Sequence, residues 1–473
     1  MRALATALAM LAGSALLSAC TLAPPYQRPA PPTPLSWPTQ GGPASQPAAA
    51  SAGSAAELAW RDVFLDRRLQ AVIELALSQN RDLRVAVGNI AKARAQYGIQ
   101  RADLFPSIEA DAGVTRSRIP AALSGTGSAL EANEYTAGVG LASYEVDLFG
   151  RVRSLNEAAL QSFFAAEENR RAAQISLIGE VANDYLALAA DQDLLRLATD
   201  TLSARDASLG LTRSRFNAGA SSELDVNQVE TLAEQARTDV GAATTRVDQD
   251  RNALRLVVGA EVPADLLPSG DVQAVQLRQE LPPGLPSDVL VQRPDVLSAE
   301  HSLKAQNADI GAARAAFFPK ITLIGSAGTA STELSGLFAP GSAAWSFGPK
   351  VSLPIFNGGA NVANLKLARA GRDVALAQYE KAVQSAFRDV ADALAVQATI
   401  AERIASQERL VAAADNARRL SQARYDRGVD SYLTLLDAQR TLYGAQESLI
   451  STRLAQAANR VVLYSALGGG ADR

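Results

Sequence analysis

The sequence predicts a fold of mixed α and transmembrane β structure. Each chain supplies four strands to a shared barrel, continued by an α-helical coiled-coil tube with a mixed belt at mid-height. Three observations predict it. One unit of about 210 residues occurs twice in the 473-residue chain. Each unit carries two alternating segments of membrane-strand length. Each then continues into some 65 residues of helix-forming sequence with a seven-residue apolar period.

The chain opens with Arg2, its only charge before Cys20. An apolar run at 3–17 follows, and then the small residues Ser18 and Ala19. Residues 1–19 therefore read as an export signal. About 15 apolar residues are too few for a membrane helix, which needs ~20. Cys20 is the only cysteine, which excludes an internal disulfide and a thiolate metal cage. "LSAC" resembles the bacterial lipobox, which implies lipidation of Cys20. With Thr21 rather than aspartate next, it also implies passage to the outer membrane. The alternative is an ordinary signal with a chance cysteine. Residues 20–59, rich in Pro, Ala, Ser and Gly, read as a tether between lipid and folded body.

The repeat is visible as three matches in one order. "GIQRADLFPSI" (98–108) recurs as "GAARAAFFPKI" (311–321), and "RFNAGASSEL" (215–224) as "RYDRGVDSYL" (424–433). "RNALRLVVG" (251–259) faces "RVVLYSALG" (460–468). The first unit spans 60–259 and the second 295–467. A Pro-rich connector at 260–294 joins them, and a frayed tail at 468–473 follows.

In each unit a helix ends near the "FP" dipeptide, because proline biases the residue before it out of helical conformation. Strands follow at about 107–117 and 134–147, and again at 320–331 and 344–356. Ile108, Ala110, Ala112 and Val114 alternate with Glu109, Asp111, Gly113 and Thr115, while Trp345, Phe347, Val351, Leu353 and Ile355 share one face. Strands of this length, apolar on one face and polar or small on the other, have the pattern of barrel strands.

Long helices follow at 150–216 and 222–258, and at 359–425 and 431–467. At ~1.5 Å per residue the longer ones reach about 100 Å, far beyond a bilayer. Val181, Leu188, Leu195, Leu202, Leu209 and Phe216 recur every seven residues. On the returning helix so do Val226, Ala233, Val240, Val247 and Leu254, with a second row at Val229, Ala236, Ala243, Asp250 and Val257. A sustained heptad period gives left-handed coiled-coil packing. The returning helices cover about half of the outgoing length, so connector, tether and C-terminus are expected to form the belt. Four strands cannot close a barrel, and lipid forbids open edges. The chain must therefore assemble with copies of itself.

Charged residues make up 20% of the chain, the net charge is −4, and it has one histidine and two methionines. That balance gives no basic face for nucleic acid and no material for a His- or Met-based metal site. With no phosphate loop or nucleophile motif, no catalytic, metal or cofactor residue is assigned. His301 lacks ligand-spaced partners and reads as a structural residue.

With these features the chain resembles the outer-membrane efflux proteins of tripartite pumps, the TolC-like ducts, and within them the lipid-anchored OprM-type subgroup. The likeness runs from about residue 60 to the C-terminus. It is densest in "QRPDVLSAEHSLKAQNADIGAARAAFFPKITL", "LPIFNGGANVANLKLA", "YEKAVQSAFRDVADAL" and "RYDRGVDSYLTLLDAQRTLYGAQ". The resemblance implies a homotrimer with a twelve-stranded barrel in the outer membrane, and a tube whose lower end meets a periplasmic adaptor protein and an inner-membrane pump of the proton-driven RND class. It implies a passive conduit for drugs, without enzymatic activity or cofactor. A duct for metal-ion efflux or type I protein secretion would share the architecture. A lipid-anchored periplasmic coiled-coil scaffold would share the heptads but not the strands.

The turns between the long helices hold Gly219 and Gly428, suited to left-handed helix ends, and Asp430. Ser222 with Asp225 three later makes a capping box. Leu433, Asp437 and Arg440 stand at i, i+4 and i+7 on one helical face; as a bare pattern, the latter two are an exposed ion pair. In the resembled subgroup the matching leucine narrows the pore. The aspartate and arginine there form a polar latch with the tyrosine that matches Tyr425. These residues are accordingly the expected periplasmic gate, whereas the first unit has Leu224, Gln228 and Thr231 at the matching positions.

Overall fold

The computed structural model describes residues 21–34, 36–38, 58–125, 127–279, 281 and 290–469. The export signal, Cys20, much of the 20–59 tether, part of the connector and the end of the tail lie outside them. The order of elements is α1 (Trp60–Val63), α2 (Arg67–Gln79), α3 (Arg81–Ala102), β1 (Ile108–Ile119), β2 (Leu130–Val146), α4 (Arg151–Asn217), α5 (Glu223–Val258), α6 (Pro294–Ala315), β3 (Lys320–Ser331), β4 (Ala343–Ser352), α7 (Ala360–Asp426) and α8 (Tyr432–Ala466). α4 and α7 are 67 residues each. Two compact units share this chain. One holds Met1–Ala30, Asn89–Glu167 and Ser298–Tyr379; the other holds Pro31–Gly88, Glu168–Leu297 and Glu380–Arg473. Each therefore mixes segments of both sequence repeats.

The first unit is built on an antiparallel sheet of order β1-β2-β3-β4. The register aligns Ala110, Val139, Ala327 and Trp345 on one face, and Ile108, Leu141, Gly325 and Phe347 a step away. The opposite face carries Glu109, Gly140, Ser326 and Ser346 in one row, and Asp111, Gly138, Gly328 and Ala344 in the next. One face is thus apolar, the other polar and small. At Gly328 a Cβ would lie 2.3 Å from the Ala137 carbonyl oxygen, so only glycine fits.

Between β2 and β3 the register shifts between Leu141 and Tyr144. The bulge changes the parity of β2: Tyr135, Ala137, Val139 and Leu141 take the apolar face before it, Tyr144 and Val146 after it. That keeps the face continuous, since Val146 opposes Ile321, which opposes Val351. The strand bounds differ from the sequence expectation. β1 and β2 pair on as far as Ile119 and Leu130, a polar extension with an Arg116–Glu131 ion pair of 3.3 Å. β4 stops at Ser352 rather than 356, because its partner β3 begins opposite it at Lys320 and Pro354 has no donor for a ladder.

The second unit is helical. Its core joins Trp60, Phe64, Leu69 and Ile73 to Val181, Tyr185 and Leu188 of α4, Val247 and Leu254 of α5, Val390 of α7, and Val461 and Tyr464 of α8, all buried. The heptad rows meet here. The α5 rows bury Val229, Ala233, Ala236, Ala243, Val247 and Leu254, whereas the α4 stripe loosens toward its end, where Phe216 is 42% exposed. α5 ends at Gly259 with φ 76°, and a Cβ there would lie 2.6 Å from the Gln79 carbonyl oxygen. Asn80 ties this corner. Its Nδ2 donates to the Val257 carbonyl (2.7 Å), and its Oδ1 accepts from the Leu83 N–H at the start of α3 (2.7 Å). The segment after α1 pairs with the connector, Leu65 N–H donating to the Gln276 carbonyl (2.9 Å) and Arg278 N–H to the Val63 carbonyl (2.9 Å). Trp37 of the tether stacks on Phe387 at 5.0 Å.

Candidate gate at the helical hairpins

α4–α5 and α7–α8 turn back on themselves in the same way. Gly219 (φ 73°) and Gly428 (φ 70°) occupy the left-handed region. Gly219 N–H donates to the Phe216 carbonyl (2.9 Å) and Ala220 N–H to the Arg215 carbonyl (2.8 Å). Gly428 and Val429 repeat the pair on Tyr425 and Arg424, both at 2.9 Å. These are Schellman closures, which satisfy the last helical carbonyls.

Beyond the glycine the two turns differ. At the first, Ser222 is the N-cap: its Oγ accepts from Asp225 N–H (3.1 Å), and its own N–H donates to Asp225 Oδ2 (3.0 Å). The hydrogen bonds donated to its carboxylate by the Ser222 N–H and Oγ hold Asp225 below its ordinary range. At the second, Ser431 makes no side-chain cap. Instead Arg424 spans the turn to Asp430, Nε to Oδ2 at 2.5 Å and Nη2 to Oδ1 at 2.8 Å, and this lowers the Asp430 carboxyl. This clamp was not anticipated from the sequence, although Arg424 and Asp430 flank the turn glycine.

Leu209, Val229, Ala233, Tyr432, Leu435 and Leu436 form a small buried core between the hairpins. Tyr432 OH lies 3.1 Å from Ser208 Oγ, and its ring is 5.1 Å from that of Tyr425, over which the Arg215 guanidinium stands at 5.6 Å. Arg205 is buried beside them and donates to Gln439. Leu433 is 61% exposed, and Asp437 and Arg440 are exposed with it on the face away from Tyr432, Leu435 and Leu436. The structure thus brings Leu433, Asp437 and Arg440 together on one open face and turns Tyr425 inward onto Tyr432. Among the described residues neither Asp437 nor Arg440 has an ion-pair partner within the chain. On the first hairpin Leu224 is 65% exposed and Thr231 turns its hydroxyl to the Asn227 carbonyl (2.8 Å).

A second polar feature sits on the α4–α5 seam. Burial and the facing Asp191 carboxylate push Asp250 up to about 7, with Asp184 adding to the effect and Arg246 opposing it. Asp250 Oδ2 is buried without a hydrogen-bond partner. The signal in the sequence was an acid standing in an apolar heptad row. His301 meets Gln161 Oε1 through Nδ1 at 2.6 Å and packs on Phe164. Among the described residues no cluster of His, Cys, Asp and Glu could hold a metal ion, and no helix is long and apolar enough to cross a membrane.

A family model described as outer membrane efflux protein matches residues 72–260 and 285–469. The toluene efflux pump outer membrane protein TtgC of Pseudomonas putida is 46% identical over 455 residues, 96% of this chain and 93% of the relative. The chain belongs to the outer membrane efflux proteins. Two solved structures share the family's fold with it. A membrane protein from Pseudomonas aeruginosa is 43% identical with a TM-score of 0.89, covering 95% of this chain and 98% of that one. The open state of the Neisseria gonorrhoeae MtrE outer membrane channel is 40% identical with a TM-score of 0.84, at the same coverages. As in those efflux proteins, strands and long helices occur together here, and the outer membrane is the setting in which the sheet's exposed apolar face is explained.

Proposed function

We propose that the chain is the outer-membrane duct of a tripartite efflux system. Three copies would close a twelve-stranded barrel, their long helices would form a periplasmic tube, and an adaptor and an RND-type inner-membrane pump would engage its far end. The observation that carries this reading is the open sheet. β1 and β4 each keep one edge unpaired, and the apolar face leaves Trp345 80% and Phe347 64% exposed. Lipid tolerates no open edge, and water tolerates such a face poorly, so the edges must pair with further copies and the face must meet lipid. The family resemblance supplies the number three.

The duct needs no reactive group, since the pump supplies the energy. TtgC is named for toluene efflux, and this supports a cargo of small apolar molecules. Leu433, Asp437 and Arg440 are the proposed gate, meeting their counterparts between chains with Tyr425 behind them. Cys20, outside the described residues, is the proposed lipid anchor. The test is the native mass of the detergent-purified mature chain together with planar-bilayer recording. A trimer with single-channel conductance is expected. A stable monomer or tetramer overturns the strand count, and absence of conductance overturns the duct in favour of a scaffold.

A further inference from the structure

The first stretch of the described chain is held against α6 along its length. Thr21 Oγ1 lies 3.3 Å from Ser154 Oγ in the first turn of α4. Arg314 Nη1 donates to the Leu22 carbonyl (3.0 Å), and Asn307 Nδ2 donates to the Pro24 carbonyl (2.7 Å). At the other end Tyr26 OH (3.2 Å), Arg28 Nε (3.1 Å) and Arg28 Nη2 (2.6 Å) all reach the Glu300 carboxylate, which Lys304 Nζ meets at 3.0 Å. The Glu300 side chain is only 4% exposed. Gly311 permits the close approach, because a Cβ there would fall 2.8 Å from Ala23 Cα and 2.7 Å from Ser154 Oγ.

Burial alone would raise Glu300, but the hydrogen bonds from Arg28 and Lys304 outweigh it and hold the carboxyl below its ordinary range. Without residues 21–28 that buried carboxylate would keep Lys304 alone, and an under-compensated buried charge is strongly destabilising. The receptor for the segment is thus built into α6.

We propose that residues 21–28 are a strap clasped by Glu300, and that the clasp holds Thr21 and Leu22 where α4 follows β2 and α6 leads into β3. Its first residue touches the start of α4, just past β2. Leu22 is held by Arg314 in the last turn of α6, which leads into β3. A lipid carried on the residue before Thr21 would then reach the bilayer at the depth of those strand ends. The clasp stands by itself; the depth-stop role rests on the reading of Cys20 as the lipid anchor.

The test is chymotryptic cleavage after Tyr26 in the full-length mature chain, followed by mass spectrometry of the released N-terminal peptide. Arg28→Ala and Glu300→Gln should each accelerate cleavage by about tenfold or more, because cleavage follows the population of the opened strap. The double variant should be no faster than Glu300→Gln alone, since the Arg28 contact is one of those that Glu300→Gln already breaks. If Glu300→Gln fails to assemble, Arg28→Lys, which loses the two-pronged contact but keeps the charge, should give an intermediate rate. A wild-type strap cut as fast as the variants overturns the clasp, and so does a double variant whose acceleration equals the product of the singles. The peptide's mass reports the acyl chain separately. Its absence removes the anchor and the depth stop, while the cleavage rates still judge the clasp.

Discussion

The two helical hairpins are the same backbone device finished with different side chains. Both close on a left-handed glycine with the same pair of hydrogen bonds. The first then locks its returning helix with a capping box at Ser222 and Asp225, whereas the second leaves Ser431 uncapped and spans the turn with Arg424 and Asp430. The faces beyond differ too: Gln228 and Thr231 on one, Asp437 and Arg440 on the other. The repeat supplies the scaffold twice, and the two copies finish it with different side chains. Where backbone geometry is shared, functional asymmetry must lie in these few residues.

The sharpest break concerns the gate. Replacing Asp437 and Arg440 together with Ala should raise single-channel conductance and let large antibiotics such as vancomycin leak inward, with trimer assembly unchanged. Replacing Gln228 and Thr231 together with Ala should do much less. An exposed pair is worth little by itself, so the effect depends on several such contacts around a narrow ring. Equal opening by both double variants, or by neither, places the gate elsewhere.

A second asymmetry lies on the seams. Asp191 and Asp250 in the first half correspond to Ile400 and Asn459 in the second, where Asn459 Nδ2 donates to the Ala393 carbonyl (3.0 Å). With Asp250 pushed up to about 7, the folded chain binds a proton that the unfolded chain releases near pH 4. Stability from this site therefore falls as pH rises from about 4 through 7. Asp250→Asn should raise the thermal midpoint by a few degrees above pH 7, with the gain vanishing below about pH 4. A gain independent of pH would show that packing, not the buried carboxyl, was relieved.

Much of this was legible in advance, for a physical reason. Helices and turns leave local, periodic marks, so the heptad rows, the "FP" breaks and the turn glycines locate long elements within a residue or two. The β2 bulge left no such mark, because an extra residue between Leu141 and Tyr144 resets the alternation on which any reading of parity depends. Tyr425 was expected near Asp437 and Arg440, yet within a chain it packs on Tyr432. Spacing fixes which face a residue takes, but not what comes to meet that face. The interleaving of both repeats in each compact unit was equally invisible, since it depends on contacts far apart in sequence.

The glycines offer a test in which the two hairpins should behave alike. At Gly219 and Gly428 nothing lies within 4 Å of the place an added methyl would take, so Gly→Ala brings no clash. Only the left-handed backbone is penalised, by ~1–2 kcal/mol per site. Both variants should lower the thermal midpoint by similar amounts. A markedly larger loss at Gly428 would mean that its turn carries strain which the shared hydrogen bonds conceal.

The smallest effects should separate the caps. Ser222→Ala removes the acceptor for Asp225 N–H and one donor to its carboxylate, and losing an N-cap of this kind typically costs ~1 kcal/mol. Ser431→Ala removes no cap hydrogen bond and should be close to neutral. Acid should narrow the difference, because the Ser222 hydroxyl still accepts from the Asp225 N–H but no longer donates to a carboxylate. The Asp225 carboxyl is lowered in the folded chain, so its contribution is complete above the ordinary carboxylate range and is lost as pH falls through the lowered value. Thermal melts of both variants near pH 7 and at a pH below the lowered Asp225 value would then show a wider gap at the first than at the second. A gap unchanged by acid would assign the stabilisation to the Ser222 hydroxyl accepting from the backbone, and leave the Asp225 carboxylate no part in it.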